Sequence, residues 1–349
     1  MAKRKLNRRQ QWRIKKIQEE KTERAKRRES RISDDLENDR LGGEQTGMII
    51  AHYGQQIDVQ ATDADFRPLL DQPVHRCHVR ANLDALVTGD RVVWRAAEDG
   101  SGIIEARLDR DTLLQRPDNF GQLKPVAANI DRIIIVVAVE PEPHANLIDR
   151  YLVAAETLEI QPTLLLNKAD LITETNRNQI DALIRPYSDM GYEVLYTTAQ
   201  HASDDNSELM QFLTRHTSVF VGQSGVGKSS IIRSILGDDS IKVGELSETT
   251  RKGTHTTTTA RLFHLPCGGQ LVDSPGIREF GLWHINEQDL LHGFIEFRPH
   301  LGLCKFRDCR HEEEPGCAIR QAYDDGQISE ARMSSFRRIR ATLDDKETY

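Results

Sequence analysis

The sequence predicts a multidomain chain with an N-terminal OB-fold β-barrel, a central doubly wound α/β domain and a C-terminal, mainly helical, metal-binding lobe. Three observations carry that expectation. Residues 46–108 hold five short β-prone runs broken by Gly54, Gly89-Asp90 and Asp99-Gly100, the texture of a small closed barrel. From 126 to 280, unbroken apolar runs alternate with stretches of helical period, as in a parallel sheet covered on both faces. Towards the C-terminus, Cys304, Cys309 and Cys317 crowd round His311.

At 349 residues the chain suits two or three domains. No apolar run approaches the roughly 18 residues needed to span a bilayer, and the N-terminus lacks the apolar core of a secretory signal. A cytoplasmic chain with no membrane contact is expected. The net charge of −7 hides an asymmetry: residues 1–32 carry fourteen Lys/Arg against four Glu, a net of +10, so the rest sums to −17. Charge segregated in this way suits counterion release on a phosphate backbone, although a solvated tail has the same composition. Residues 1–45 are therefore expected to form a basic arm without order of its own.

The runs "MIIAHYG", "QQIDVQA", "HRCHVRA", "DRVVWRA" and "SGIIEARL" place the barrel at 46–110; on pattern alone an SH3-like barrel fits as well. Residues 111–125, rich in Pro, Gly and Asn, read as a linker. The α/β domain at 126–280 opens with "RIIIVVAVEP", a strand buried on both faces, and continues with the helical "NLIDRYLVAAETLEI", the strands "QPTLLLN", "YEVLYT" and "SVFVG", and intervening helices. Residues 281–349 form the helical lobe, with the Cys/His cluster in a loop between helices.

Gly222-Gln223-Ser224-Gly225-Val226-Gly227-Lys228-Ser229-Ser230 matches the phosphate loop G-x-x-x-x-G-K-[ST], with a strand before it and the helical "SIIRSILG" after it. Glycines let the backbone fold round phosphate oxygens and aim N–H groups at them. Lys228 would reach the β- and γ-phosphates and Ser229 would ligate Mg²⁺. Asn167-Lys168-Ala169-Asp170 ends a buried strand, where open α/β sheets bind ligands. A carboxylate at Asp170 can accept hydrogen bonds from guanine N1–H and N2, which adenine does not offer. Asp273-Ser-Pro-Gly276 supplies D-x-x-G: Asp273 would hold Mg²⁺ through water, and the Gly276 N–H would sense the γ-phosphate. In "RKGTHTTTTARL", Thr257, with Thr258 as the alternative, would complete the Mg²⁺ shell. In "YTTAQ", Thr198 and a backbone N–H at Ala199 would contact the base.

The site is thus complete for GTP, but its order along the chain is base reader, phosphate loop, Thr switch, D-x-x-G. Asn167 stands 55 residues ahead of Gly222. This is a circular permutation of the usual order, a permuted P-loop GTPase domain. In the tail, Cys304-x4-Cys309-x-His311-x5-Cys317 offers three thiolates and an imidazole, a tetrahedral set with no open position. The spacing is not that of a common zinc finger, so unrelated buried thiols stand beside one structural Zn²⁺ as readings of the spacing alone.

With "NKAD", "GQSGVGKSS", "GTHTTT", "DSPG" and "LGLCKFRDCRHEEEPGCAIR" in this order behind a small barrel, the chain resembles the ribosome small-subunit-dependent GTPase A family over nearly its whole length. The resemblance implies zinc at Cys304, Cys309, His311 and Cys317, and a role in maturation of the small ribosomal subunit. It also implies rRNA as a partner and turnover stimulated by that subunit. A monomer cycling between GTP and GDP is expected. Many GTPases place a water-orienting Gln directly after D-x-x-G; this chain has Ile277, so basal hydrolysis should be slow. His255 is the candidate catalytic group within the chain, beside Lys228 and Thr257, and the resemblance supports it. The alternative reading is a nucleotide-binding RNA scaffold or checkpoint protein with little turnover.

Overall fold

The computed structural model describes residues 41–53, 56–80, 83, 85–117, 122–198, 200–204, 207–237, 260–273 and 285–347. The five β-prone runs become β1 (Gln45–Tyr53), β2 (Gln56–Ala61), β3 (His75–Val79), β4 (Arg91–Ala96) and β5 (Ser101–Arg107). They pair in the order β1-β2-β3-β5-β4, and β4 returns to β1. The β3–β5 pair is parallel and the others are antiparallel. Five strands closed in this order make the barrel OB-like and decide against the SH3-like alternative. Its interior is filled by alternate residues, Ile49, Ile57, Val59, Trp94 and Ile104, all fully buried. Trp94 is accommodated by two glycines: a Cβ on Gly47 or Gly102 would come within 2.6 or 2.9 Å of its ring atoms.

Residues 111–125, expected as a linker, are not a featureless connection. β6 (Leu113–Pro117) and β7 (Leu123–Ala128) form an antiparallel ribbon. The Pro, Gly and Asn residues that suggested a linker fall mainly between and at the ends of the strands, while Leu114 and Ala127 are buried. The ribbon ties the barrel to the α/β domain. Ala128 N–H donates to Thr88 O at 2.9 Å and Asn129 Nδ2 donates to Gly89 O at 2.8 Å. Gly89, at φ +88°, approaches so closely that a Cβ would lie 2.1 Å from Ala128 O.

The α/β domain contributes β8 (Arg132–Ala138), β9 (Gln161–Asn167), β10 (Glu193–Tyr196), β11 (Thr217–Val221), β12 (Arg261–His264) and β13 (Gln270–Asp273). Their order is β10-β9-β8-β11-β13-β12, with only the β12–β13 pair antiparallel. Because the central strands are buried on both faces, their residues divide between two cores. Ile133, Ile135, Leu164 and Leu166 pack with α1 (Ala145–Thr157) and α2 (Arg177–Asp189). Ile134, Val136 and Leu165 pack with α3 (Glu208–Leu213) and α4 (Lys228–Leu236). Strand β12 also pairs with β1, Ala51 opposite Arg261, so barrel and α/β sheet join edge to edge. Thr88 Oγ1 donates to Ala260 O across that junction at 2.9 Å.

The C-terminal lobe consists of α5 (Glu287–Gly293), a 3₁₀ turn (Ile295–His300), α6 (Ala318–Asp324) and α7 (Glu330–Glu347). A capping box between Asn286 and Asp289 starts α5. Phe294, Phe297 and Phe336 form its aromatic centre, with ring centroids 5.0 to 5.7 Å apart. Docking onto the α/β domain runs through α1. Gly293 lies so close to that helix that a Cβ would meet Val153 Cγ1 at 2.6 Å. Arg332, on α7, is 3% exposed and grips Glu296 with Nε at 2.6 Å and Nη2 at 3.0 Å, while its Nη1 donates to Asp149 on α1. Tyr187 Oη, from α2, donates to the same Asp149 carboxylate at 2.8 Å. The Arg332 guanidinium also lies 4.4 Å from the Phe294 centroid. Burial opposes its charge, but the two carboxylates outweigh burial and raise the guanidinium's pKa.

A buried charge that loses its partner is costly. Arg332→Met is expected to lower stability to urea by about 3–5 kcal/mol, and adding Asp149→Asn should recover part of that loss, read from the denaturation midpoint.

Candidate functional site

Strand β11 delivers the phosphate loop at the sheet's C-terminal edge. Three glycines in it hold positive φ: Gly222 at +141°, Gly225 at +86° and Gly227 at +96°. The first passes close to β8, where a Cβ would lie 2.3 Å from Val136 O. Gly227 is the N-cap of α4, so the positive end of the helix dipole lies at the loop. The Lys228 side chain folds back over that loop, its Nζ donating to Gly222 O at 2.6 Å and Gln223 O at 2.7 Å. Gln223, Ser224, Gly225 and Ser230 are exposed, Ser229 is half-buried and Val226 is buried.

Asn167 ends β9 at 1% exposure and donates from Nδ2 to Val226 O at 2.8 Å. A Cβ on Gly227 would lie 2.3 Å from the same Nδ2, so glycine is required there by the Asn167 amide as well as by φ. Lys168 adopts the left-handed conformation at φ 58°. Its Nζ donates to Glu140 O at 2.5 Å and Gly225 O at 3.2 Å, so its stem spans from the base-reader loop to the phosphate loop. A 3₁₀ turn (Ala169–Leu171) then presents Asp170 to solvent, and Ala169 N–H is fixed by Thr197 O at 3.1 Å. Asn167 Oδ1 and Thr198 Oγ1 are buried without a protein partner, two polar atoms at the base-reading end of the site. Asp273 ends β13, directly beside β11 in the parallel sheet, and is 6% exposed.

The structure therefore brings Asn167, Lys168, Thr198, Gly222 to Ser230 and Asp273 to one edge of the sheet. Ala199, His255, Thr257, Thr258, Gly276 and Ile277 lie outside the described residues. Sequence reading missed the parts played by Val136, Glu140 and Thr197. Each acts through a backbone carbonyl, and a carbonyl leaves no mark on residue type.

At the other end of the chain, the ligand atoms of Cys304, Cys309, His311 and Cys317 all lie within 4.8 Å of one another. Cys304 Sγ is 4.0 Å from Cys317 Sγ, and His311 Nδ1 is 3.5 and 3.4 Å from those two sulfurs. Tetrahedral Zn²⁺ with Zn–S near 2.3 Å would set sulfurs about 3.8 Å apart and S···N about 3.5 Å. The cluster fits. Backbone N–H groups of Ala318 and Arg320 point at Cys304 Sγ and Cys317 Sγ, both at 3.4 Å, as supporting donors to thiolate ligands do. The four residues would hold one ion with no open coordination position, which suits a structural metal.

A family profile described as RsgA GTPase matches residues 107–283. A protein of Hahella chejuensis named "Small ribosomal subunit biogenesis GTPase RsgA" is 56% identical over 351 residues, covering 100% of this chain and 99% of its own. One of the same name from Azotobacter vinelandii is 58% identical over 347 residues, covering 99% and 100%. The chain belongs to the RsgA GTPase family. Among solved structures, YjeQ from Thermotoga maritima superposes with a TM-score of 0.69 at 30% identity, covering 86% of this chain and 99% of that one. YloQ, described as a circularly permuted GTPase, gives 0.69 at 28%, covering 87% and 96%. The permuted fold expected from motif order is thus that of the RsgA GTPases. Strand β9, which ends at the Asn of N-K-x-D, precedes β11 in the chain and is separated from it in the sheet by β8 alone.

Gly222→Ala is expected to abolish guanine-nucleotide binding in an equilibrium titration, because the added Cβ meets a backbone carbonyl and not a movable side chain. Atomic absorption is expected to find one zinc per wild-type chain and close to none in Cys317→Ser, whose C-terminal lobe should yield to proteolysis before the barrel.

Proposed function

We propose that this RsgA GTPase acts as a late maturation factor of the small ribosomal subunit, binding rRNA and hydrolysing GTP under stimulation by that subunit. The observation that carries this is likeness over the full chain to proteins named for small-subunit biogenesis, joined to a guanine-reading loop hydrogen-bonded to the phosphate loop. Asp170 pairs with guanine N1–H and N2, and an adenine base would leave its carboxylate unpaired. Ala169, Thr198 and Ala199 complete the base pocket. The Lys168 stem covers the base.

The loop from Gly222 to Ser230 donates N–H groups to the phosphates, and Lys228 exchanges its two carbonyl acceptors for phosphate oxygens. Mg²⁺, when bound with the nucleotide, would supply positive charge to the phosphates. Ser229 and Asp273 would be two of its ligands, with Thr257 or Thr258 as the third. Gly276 senses the γ-phosphate, and His255 orients the attacking water in place of the Gln that Ile277 displaces. Cys304, Cys309, His311 and Cys317 would hold one Zn²⁺, which would brace the lobe C-terminal to the switch. The protein works as a cytoplasmic monomer that grips the subunit in the GTP state and leaves with GDP. Ile277 also favours a second reading, a nucleotide-binding RNA scaffold or checkpoint protein with little turnover.

Co-sedimentation with small and large subunits, together with phosphate release, separates the two. Small-subunit binding with the GTP analogue and release with GDP, plus stimulated turnover, are expected; equal affinity in both states and no stimulation would favour the scaffold. In the same assay, His255→Ala should remove most of the stimulated turnover while nucleotide affinity stays within about twofold.

A further inference from the structure

The loop that carries Cys304 and Cys309 leaves two large apolar side chains in solvent. Leu303 is 68% and Phe306 43% exposed, although the lobe's other phenylalanines, Phe294, Phe297 and Phe336, are wholly buried. Lys305 Nζ lies 5.5 Å from the Phe306 centroid, and Arg307 and Arg310 are exposed on the same loop. Part of the neighbouring acidity is satisfied within the lobe. Glu314 accepts the backbone N–H groups of Arg310 and Glu312 at 2.8 and 2.9 Å, and Glu312 pairs with Arg340 at 3.0 Å. Lys305, Arg307 and Arg310 then stand against Asp308 and Glu313.

The loop is braced. Lys305 N–H donates to Gly316 O at 3.0 Å, and Arg340 Nη1 donates to Arg310 O at 2.5 Å. An aromatic ring displayed on a braced loop loses little conformational freedom when something stacks on it. A ring with an aliphatic neighbour three residues away and cations on both sides matches an unpaired nucleotide: a flat base between charged phosphates. An acidic protein surface would satisfy the cations but not use the exposed ring face.

We infer that Phe306 is a stacking platform for an unpaired RNA base, with Leu303 packing beside it and Lys305 and Arg307 on the flanking phosphates. The RNA's identity as ribosomal rests on the function proposed above; the stacking does not. It gives the lobe a base-stacking contact in addition to charge and shape.

The test uses the zinc-loaded full chain. Phe306→Trp emission, read as the difference from the wild-type protein, is expected to be quenched by a single-stranded oligouridylate and not by a duplex of equal length. No quenching by the single strand, or equal quenching by both, would overturn the inference whether or not ribosomal subunits bind. Phe306→Ala and Phe306→Leu should each weaken small-subunit binding by about 5- to 100-fold, with Phe306→Tyr near wild type and zinc content unchanged in all three. Wild-type strength in Phe306→Leu would mean an apolar contact without stacking and would also reject it. A photo-crosslinker at 306 is expected to label a nucleotide; labelling of a ribosomal protein instead would assign the patch to a protein partner. If the wild-type chain ignores small subunits while the oligouridylate still quenches, the proposed function fails and the stacking platform stands.

Discussion

The hydrogen bond from Asn167 Nδ2 to Val226 O joins two loops 59 residues apart in the chain, and the rest of the site is arranged round it. It fixes the distance between a base reader and a phosphate reader. The same amide leaves no room for a Cβ at residue 227, so Gly227 answers to Asn167 as well as to its own positive φ. Lys168 adds a second tie through Gly225 O. Chain order is irrelevant to such contacts. A parallel sheet presents every strand end at one edge, and opening the chain at a different loop leaves that edge intact.

The permutation does change what is attached to the edge. The strand ending at Asp273 is followed by the segment that carries Gly276 and then by the C-terminal lobe, and the barrel is sewn to the sheet through β12 and β1. The D-x-x-G segment therefore has a short covalent route to the lobe. The lobe's own grip is on α1, the helix after β8, through Asp149 and Val153. Barrel and lobe thus hold different parts of the same domain, β12 and α1.

Much of this is legible in the sequence because the chemistry demands particular residues. Glycines at 222 and 227, a lysine at 228, an asparagine and an aspartate at 167 and 170, and four soft or borderline ligands within fourteen residues announce themselves. Unbroken apolar runs mark the doubly covered strands for the same reason. The ribbon at 113–128 reads as a linker because its strands are short and punctuated by the residues that mark loops; only burial of Leu114 and Ala127 reveals it. The Arg332–Glu296–Asp149 cluster is invisible for a different reason. Its members are 36 and 183 residues apart, and nothing in a charged residue's type says that it is buried.

That cluster bears on how separable the parts are. Asp149 belongs to the α/β domain by chain position, yet its counter-charge comes from α7, near the end of the chain. A chain cut before residue 332 would lose that counter-charge and the helix that helps to cover Asp149. The lobe is thus part of what closes this face of the α/β domain, and removing it would uncover Val153 together with Asp149.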